Sequence, residues 1–111
     1  QAFRTAEAML QAHPDLDGIF GINDDSALGA LAAVEKAGRA GRVTLVGFDA
    51  VPEARAAIQA GKLHADVIQQ PTLIGATTVQ AIADYLAGRP VPPQILIPCD
   101  LYTRDKAAAG S

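Results

Sequence analysis

The chain has no tryptophan, one cysteine (Cys99) and one methionine, and aromatic residues make up 5% of its 111 positions. A single thiol cannot close an internal disulfide, nor hold a zinc ion by itself. No stretch approaches the roughly 20 apolar residues that a membrane-spanning helix needs. Basic residues are few. Nine Lys and Arg stand against twelve Asp and Glu, for a net charge of −3. Such a chain lacks the clustered basic face of a nucleic-acid binder and the polybasic segment that seeks anionic lipid.

Catalytic signatures are missing too. Neither a glycine-rich phosphate loop nor a G-x-S-x-G elbow occurs. His13 and His64 lie far apart in sequence and have no spaced partner ligands, so they read as a turn residue and a strand-edge residue. Cys99 has no adjacent base and reads as a half-buried small hydrophobe. Asp24 and Asp25 are neighbours along the chain, so they need not converge as an acid–base pair. They read as helix-cap residues favoured by the helix dipole. No enzyme activity, metal or cofactor is expected.

Half of the residues are hydrophobic and 19% are charged, so the chain can form one packed domain. The apolar periods alternate. Residues 3–12, 24–37, 52–60 and 72–87 read as helices, and 18–22, 43–48 and 65–69 as short buried strands. Residues 94–97 read as a last strand, followed by a polar, Ala-rich tail. Phe3, Ala6 and Leu10 share one stripe of the first helix; Leu28, Leu31 and Val34 are core candidates in the second. The order predicts an α/β fold, a parallel sheet with helices on both faces.

In open sheets of this kind ligands sit beyond the carboxyl ends of the strands. The three clearest strands end in Asn23, Asp49 and Gln69. A carboxylate accepts several hydrogen bonds, while each amide both donates and accepts. A polyol such as a sugar needs that set, because every hydroxyl is donor and acceptor at once. Turns also favour Asn and Asp, so position alone leaves the bland reading open.

Three runs carry a family resemblance: HPDLDGIFGINDDSALGAL (13–31), VTLVGFDAVPEARAAIQAGKLHADVIQQP (43–71) and IGATTVQAIADYLAGRPV (74–91), followed by IPCDLYTRD (97–105). Together they resemble the C-terminal portion of periplasmic sugar-binding proteins of the ribose-binding type, with the type I periplasmic-binding-protein fold. The motifs N-D-x-x-A-L-G-A-L, V-G-F-D and G-K-L-x-A-x-x-x-Q-x-P are weak singly and specific in combination. The resemblance implies that Asn23, Asp49 and Gln69 contact a monosaccharide, captured without chemical change between two lobes and handed to the permease of an ABC transporter.

It also implies a division of the chain. Residues 1–71 would be a partial C-terminal sugar-binding lobe. Residues 72–111 would be a hinge-crossing helix and C-terminal segment that pack on an N-terminal lobe outside this sequence. The helix face of Gly75, Val79, Ile82 and Leu86 would then be open to self-association. The implied location is the periplasm, or the cell exterior with a lipid anchor in a bacterium without an outer membrane. An N-terminus at Gln1 rather than Met fits a processed protein or a fragment. Two alternatives from other classes are the effector domain of a LacI-type transcriptional regulator and a phosphoacceptor receiver domain, which would need a Lys where Gln69-Gln70-Pro71 stands. A small α/β enzyme has no specific support.

Overall fold

The computed structural model describes residues 1–109. Its elements are α1 (Ala2–Ala12), β1 (Gly18–Phe20), α2 (Asp24–Lys36), β2 (Thr44–Phe48), α3 (Pro52–Gln59), β3 (Ala65–Ile68), α4 (Pro71–Leu86), β4 (Asp100–Thr103) and α5 (Arg104–Ala108). The strands form one sheet in the order β1-β2-β3-β4. β1 runs parallel to β2, with Gly18 opposite Thr44, and β2 runs parallel to β3, with Gly47 opposite Asp66. The α/β architecture read from the sequence is the one observed, with its first three strands parallel.

Two compact units are present. The first comprises Gln1–Ile68 and the chain from Leu101; the second comprises Gln69–Asp100. Within the first unit, α1 packs against α2, α2 against β1 and β2, α3 against β3, and α5 against α3. Their buried side chains form one core that runs from Ala6 and Leu10 through Ala30, Val34 and Leu45 to Ile58 and Tyr102. Small residues let the layers approach closely. A methyl group added at Gly29 would lie 2.9 Å from the Ala2 Cβ, and one at Gly21 would lie 2.5 Å from the Ala27 amide nitrogen. Along β2 the pleat alternates. Leu45 and Gly47 are buried, while Thr44 is exposed and Val46 and Phe48 are half-buried on the other side.

The second unit is built on α4, the longest helix, which starts with Pro71 in its first turn and ends before Gly88 at φ 72°. None of its residues is buried. Arg89 ties the helix end down by donating from Nε and Nη2 to Asp84 Oδ1, at 2.9 and 2.6 Å.

Three expectations change. The last strand lies at Asp100–Thr103 and not at 94–97. Residues 94–97 are flanked by Pro92, Pro93 and Pro98, which lack the N–H groups a ladder needs, and Leu96 stands out to solvent. The tail forms a short helix, α5, whose Ala107 packs against the core. Cys99 is exposed rather than half-buried, because it belongs to that same irregular, Pro-flanked segment.

Candidate functional site

Three parallel strands point their carboxyl ends to one edge of the sheet, and each is followed by a polar side chain. After β1 the chain makes a tight turn. The Gly21 amide still donates to Val46 O at 2.9 Å, and Asn23 then opens α2. Asn23 has extended backbone (φ −153°, ψ 171°), and its Oδ1 accepts from the Ser26 amide at 2.9 Å. It is therefore the N-cap that the sequence reading had given to Asp24 or Asp25. The side chain is exposed, and its Nδ2 hydrogens remain to donate.

Asp49 follows β2 directly and is exposed. Its backbone is strained: φ is 108° at Asp49 and 55° at Ala50, two consecutive non-glycine residues at positive φ. Each such residue costs on the order of 1–3 kcal/mol and persists only where its surroundings hold it. Here the hold is explicit. The Phe48 amide donates to Asp24 Oδ1 at 3.1 Å and the Val51 amide to Asp24 Oδ2 at 2.7 Å. The Asp49 amide donates to Val67 O at 2.9 Å, and Arg55 Nε donates to Ala50 O at 2.7 Å. The loop that presents Asp49 is thus pinned on both sides by neighbouring elements.

Gln69 follows β3 directly and is exposed, at the residue where the chain enters the second unit. Its neighbour Gln70 donates from Nε2 to Pro98 O at 2.7 Å, inside that unit.

Asp24 and Asp66 were missed as participants. Asp24 was expected to serve α2 alone, yet it is 2% exposed and bonds to the far side of the Asp49 loop. Asp66 had no assigned role and is fully buried in the middle of β3. A methyl group at Gly47 would lie 2.5 Å from Asp24 Oδ1 and 2.9 Å from Asp66 Oδ2, so only glycine leaves room for the pair. Burial pushes the Asp66 carboxyl from its ordinary 3.8 up to about 7. The neighbouring Asp24 carboxylate pushes the same way, and the amides of Ala50 and Val67 oppose it in part. The only sequence signal was an aspartate in the middle of a strand pattern, where such residues are disfavoured.

His13 and His64 are both exposed, the first at the end of α1 and the second just before β3. Among the described residues no group of three His, Cys, Asp or Glu side chains is placed to hold a metal ion. A pocket of about 520 Å³ lined by Lys62, His64 and Arg104 lies at the opposite end of the sheet, where β2 and β3 begin, away from Asn23 and Asp49.

The chain resembles known proteins along nearly its whole length. The periplasmic binding protein domain matches residues 1–90. The ribose import binding protein RbsB of Bacillus subtilis is 42% identical over 98 residues, covering 88% of this chain and 32% of that protein. The D-allose-binding periplasmic protein of Escherichia coli is 40% identical over 84 residues, covering 76% of this chain and 27% of that protein. Among solved structures, GanP, a glucose-galactose binding protein from Geobacillus stearothermophilus, superposes with a TM-score of 0.86 at 29% identity, covering 94% of this chain and 37% of that one. An ABC transporter solute binding protein from Actinobacillus succinogenes with bound D-allose gives 0.83 at 28% identity, covering 97% and 38%. The chain spans about a third of the length of these relatives. On the match over residues 1–90 and the identity to these receptors, the chain belongs to the periplasmic binding protein family.

Proposed function

We propose that this chain supplies one wall of the sugar site in the solute receptor of an ABC importer, and that the monosaccharide is held there without chemical change. The observation that carries the reading is the pinned Asp49 loop. Two strained residues, fixed by bonds from Asp24, Val67 and Arg55, present a carboxylate at the strand ends beside Asn23. Strain of this kind collects at ligand-binding positions. The relatives point the same way, since they are named for ribose and D-allose and a structural neighbour holds D-allose.

The chemistry follows from the donor set. Asp49 accepts from sugar hydroxyls in charge-assisted bonds worth about 1.5–3 kcal/mol each. Asn23 donates through Nδ2, its Oδ1 being engaged with Ser26. Gln69, at the crossing between the units, both donates and accepts. The chain leaves the first unit after β3 and returns in β4, its neighbour in the sheet. Residues 69–100, with the bare face of α4, pack in this reading on a preceding lobe of the same receptor. In isolation that face favours self-association. The closed receptor is read by a membrane permease, in the periplasm or, with a lipid anchor, on the exterior of a bacterium without an outer membrane.

The test is an NMR titration with ribose, allose, glucose and galactose up to millimolar concentration. Saturable shifts centred on Asn23, Asp49 and Gln69 for one sugar are expected, and Asp49→Asn is expected to weaken that sugar roughly tenfold or more. A folded protein extended by its preceding lobe that shows no shifts at these three residues with any sugar would sink the reading.

A further inference from the structure

The middle of a strand is a poor place for a carboxylate. Aspartate has low strand propensity, and a buried charge without partners is expensive. Asp66 is nonetheless fully buried in β3, directly opposite Gly47 of β2. Residues paired across a sheet point to the same face, and the face that Gly47 presents is the one under α2. Asp24, in the first turn of α2, reaches that same space. The missing side chain of Gly47 is what lets the two carboxyl groups meet.

The hydrogen-bond inventory of the pair is lopsided. Asp24 is satisfied at both oxygens, by the Phe48 and Val51 amides. Neither oxygen of Asp66 has a partner in sound hydrogen-bond geometry. The amides of Ala50 and Val67 favour its ionised form somewhat, but they fall short of that geometry. Two carboxylates buried against the same Gly47 cannot both be charged at low cost. The arrangement is consistent when Asp66 carries a proton and donates it to Asp24, which makes the pair one coupled acid.

We propose that Asp24 and Asp66 act as a proton-sharing positioning pair that holds the 48–51 loop, and with it Asp49, in ligand-binding geometry. The role of Asp49 in this statement rests on the sugar-site reading above. Asp24 touches no ligand in this scheme; it acts through the backbone on either side of Asp49. The proton on Asp66 lets Asp24 remain an anionic acceptor for two amides. Loss of that proton puts two negative charges across Gly47, drives Asp24 off the Phe48 and Val51 amides, and releases the positive-φ residues between them.

On the elements that pack over Asp66, α2, α3 and β2, none of the charges named here replaces the proton. On α2, Asp25 is exposed, and Glu35 and Lys36 lie at the far end of the helix, paired with Lys62 and Glu7. On α3, Glu53 is exposed, while Arg55 is engaged with Ala50 O and lies over the Tyr102 ring at 4.7 Å. β2 carries no titratable side chain, and Asp49 itself is exposed. Of the side chains named, Asp24 is the one whose charge acts on Asp66.

The experiment is an NMR pH titration of the chain without sugar, following the Asp66 carboxyl carbon and the Phe48 and Val51 amides from pH 4 to pH 9. All three are expected to move together with a midpoint near 7. In Asp66→Asn, whose amide donates to Asp24 at every pH, the Phe48 and Val51 amides are expected to stay flat through neutrality and to keep their low-pH wild-type positions. An Asp66 carboxyl that titrates below pH 5 in the unaltered chain overturns the proposal, whether or not the variant folds. So do Phe48 and Val51 amides that do not follow Asp66, or that still titrate near neutrality in the variant. Because no sugar is present, this outcome stands apart from the sugar titration: the pair can fail while sugar binds, and the converse.

Discussion

The two units of this chain treat apolar surface in opposite ways. In the first, every helix of eight residues or more buries side chains: Ala6 and Leu10 on α1, six residues of α2, and Ala54, Ala57 and Ile58 on α3. In the second, α4 is sixteen residues long, carries Leu73, Ile74, Val79, Ile82, Tyr85 and Leu86, and buries none of them. Sequence pattern alone makes these helices look alike, since all are Ala-rich and apolar on one side. What separates them is whether the other half of a packing surface is present. A helix whose apolar face has no partner is held by its own hydrogen bonds, its Pro71 start and its Gly88 stop, and by little else. The first unit should therefore respond steeply to changes of shape, and the second hardly at all.

A pair of glycines gives the sharpest break between them. At Gly21 an added Cβ would meet the backbone of Ala27 at 2.5 Å, and no flexible side chain is there to move aside. Gly21→Ala must push α2 away from β1, with an expected loss of about 3 kcal/mol, at the upper end of ordinary overpacking. At Gly75, inside α4, nothing lies within 4 Å. Gly75→Ala should add about 0.5–1 kcal/mol of local helix stability through propensity alone. Urea unfolding followed by circular dichroism reads both. Equal effects at the two sites would erase the distinction drawn between the units.

A smaller effect is expected at Asp66, where the first unit's burial acts on a charge instead of a shape. Its folded value near 7 lies above the ordinary 3.8, so the folded state holds the proton more tightly than the unfolded chain does. The stability this confers is complete below about pH 4 and is lost as pH rises through 7. Asp66→Asn has no proton to lose. The stability difference between variant and wild type should therefore grow from pH 4 to pH 7 in the variant's favour and level off above it. Urea midpoints at pH 5 and pH 8 measure that difference. A gap that stays constant between them would mean that Asp66 is not a neutral acid in the folded chain.

Much of this was legible beforehand because it depends on local period. The three parallel strands, the four long helices and the placement of Asn23, Asp49 and Gln69 follow from apolar runs that end in polar residues. The Asp24–Asp66 pair was not legible, because it needs the register Gly47 opposite Asp66 and the approach of α2 to β2, neither of which a linear pattern contains. The N-cap was assigned to the wrong residue for a related reason. Asn, Asp and Asp stand in a row, any of the three can cap, and only the backbone, extended at Asn23 and helical from Asp24, decides that Asn23 does. The last strand was displaced because an apolar run (94–97) outweighed the prolines around it, whereas Tyr102, buried at 4%, marks the strand that joins the sheet.

The smallest expected effect on stability falls on α4, and it carries information because it is small. Val79 is 67% exposed and Leu86 77% exposed. Lysine at both positions removes no buried contact and keeps good helix formers in place, so Val79→Lys with Leu86→Lys should change unfolding stability by less than about 0.5 kcal/mol. The same two substitutions interrupt an apolar face that runs along the helix, and lysine ammonium groups are costly to desolvate in an interface. Any association of the chain through that face should fall, read as a lower sedimentation coefficient at high protein concentration and no change at low concentration. A large loss of stability at low concentration would show that α4 is covered within a single chain, and the contrast between the two units would then have to be abandoned.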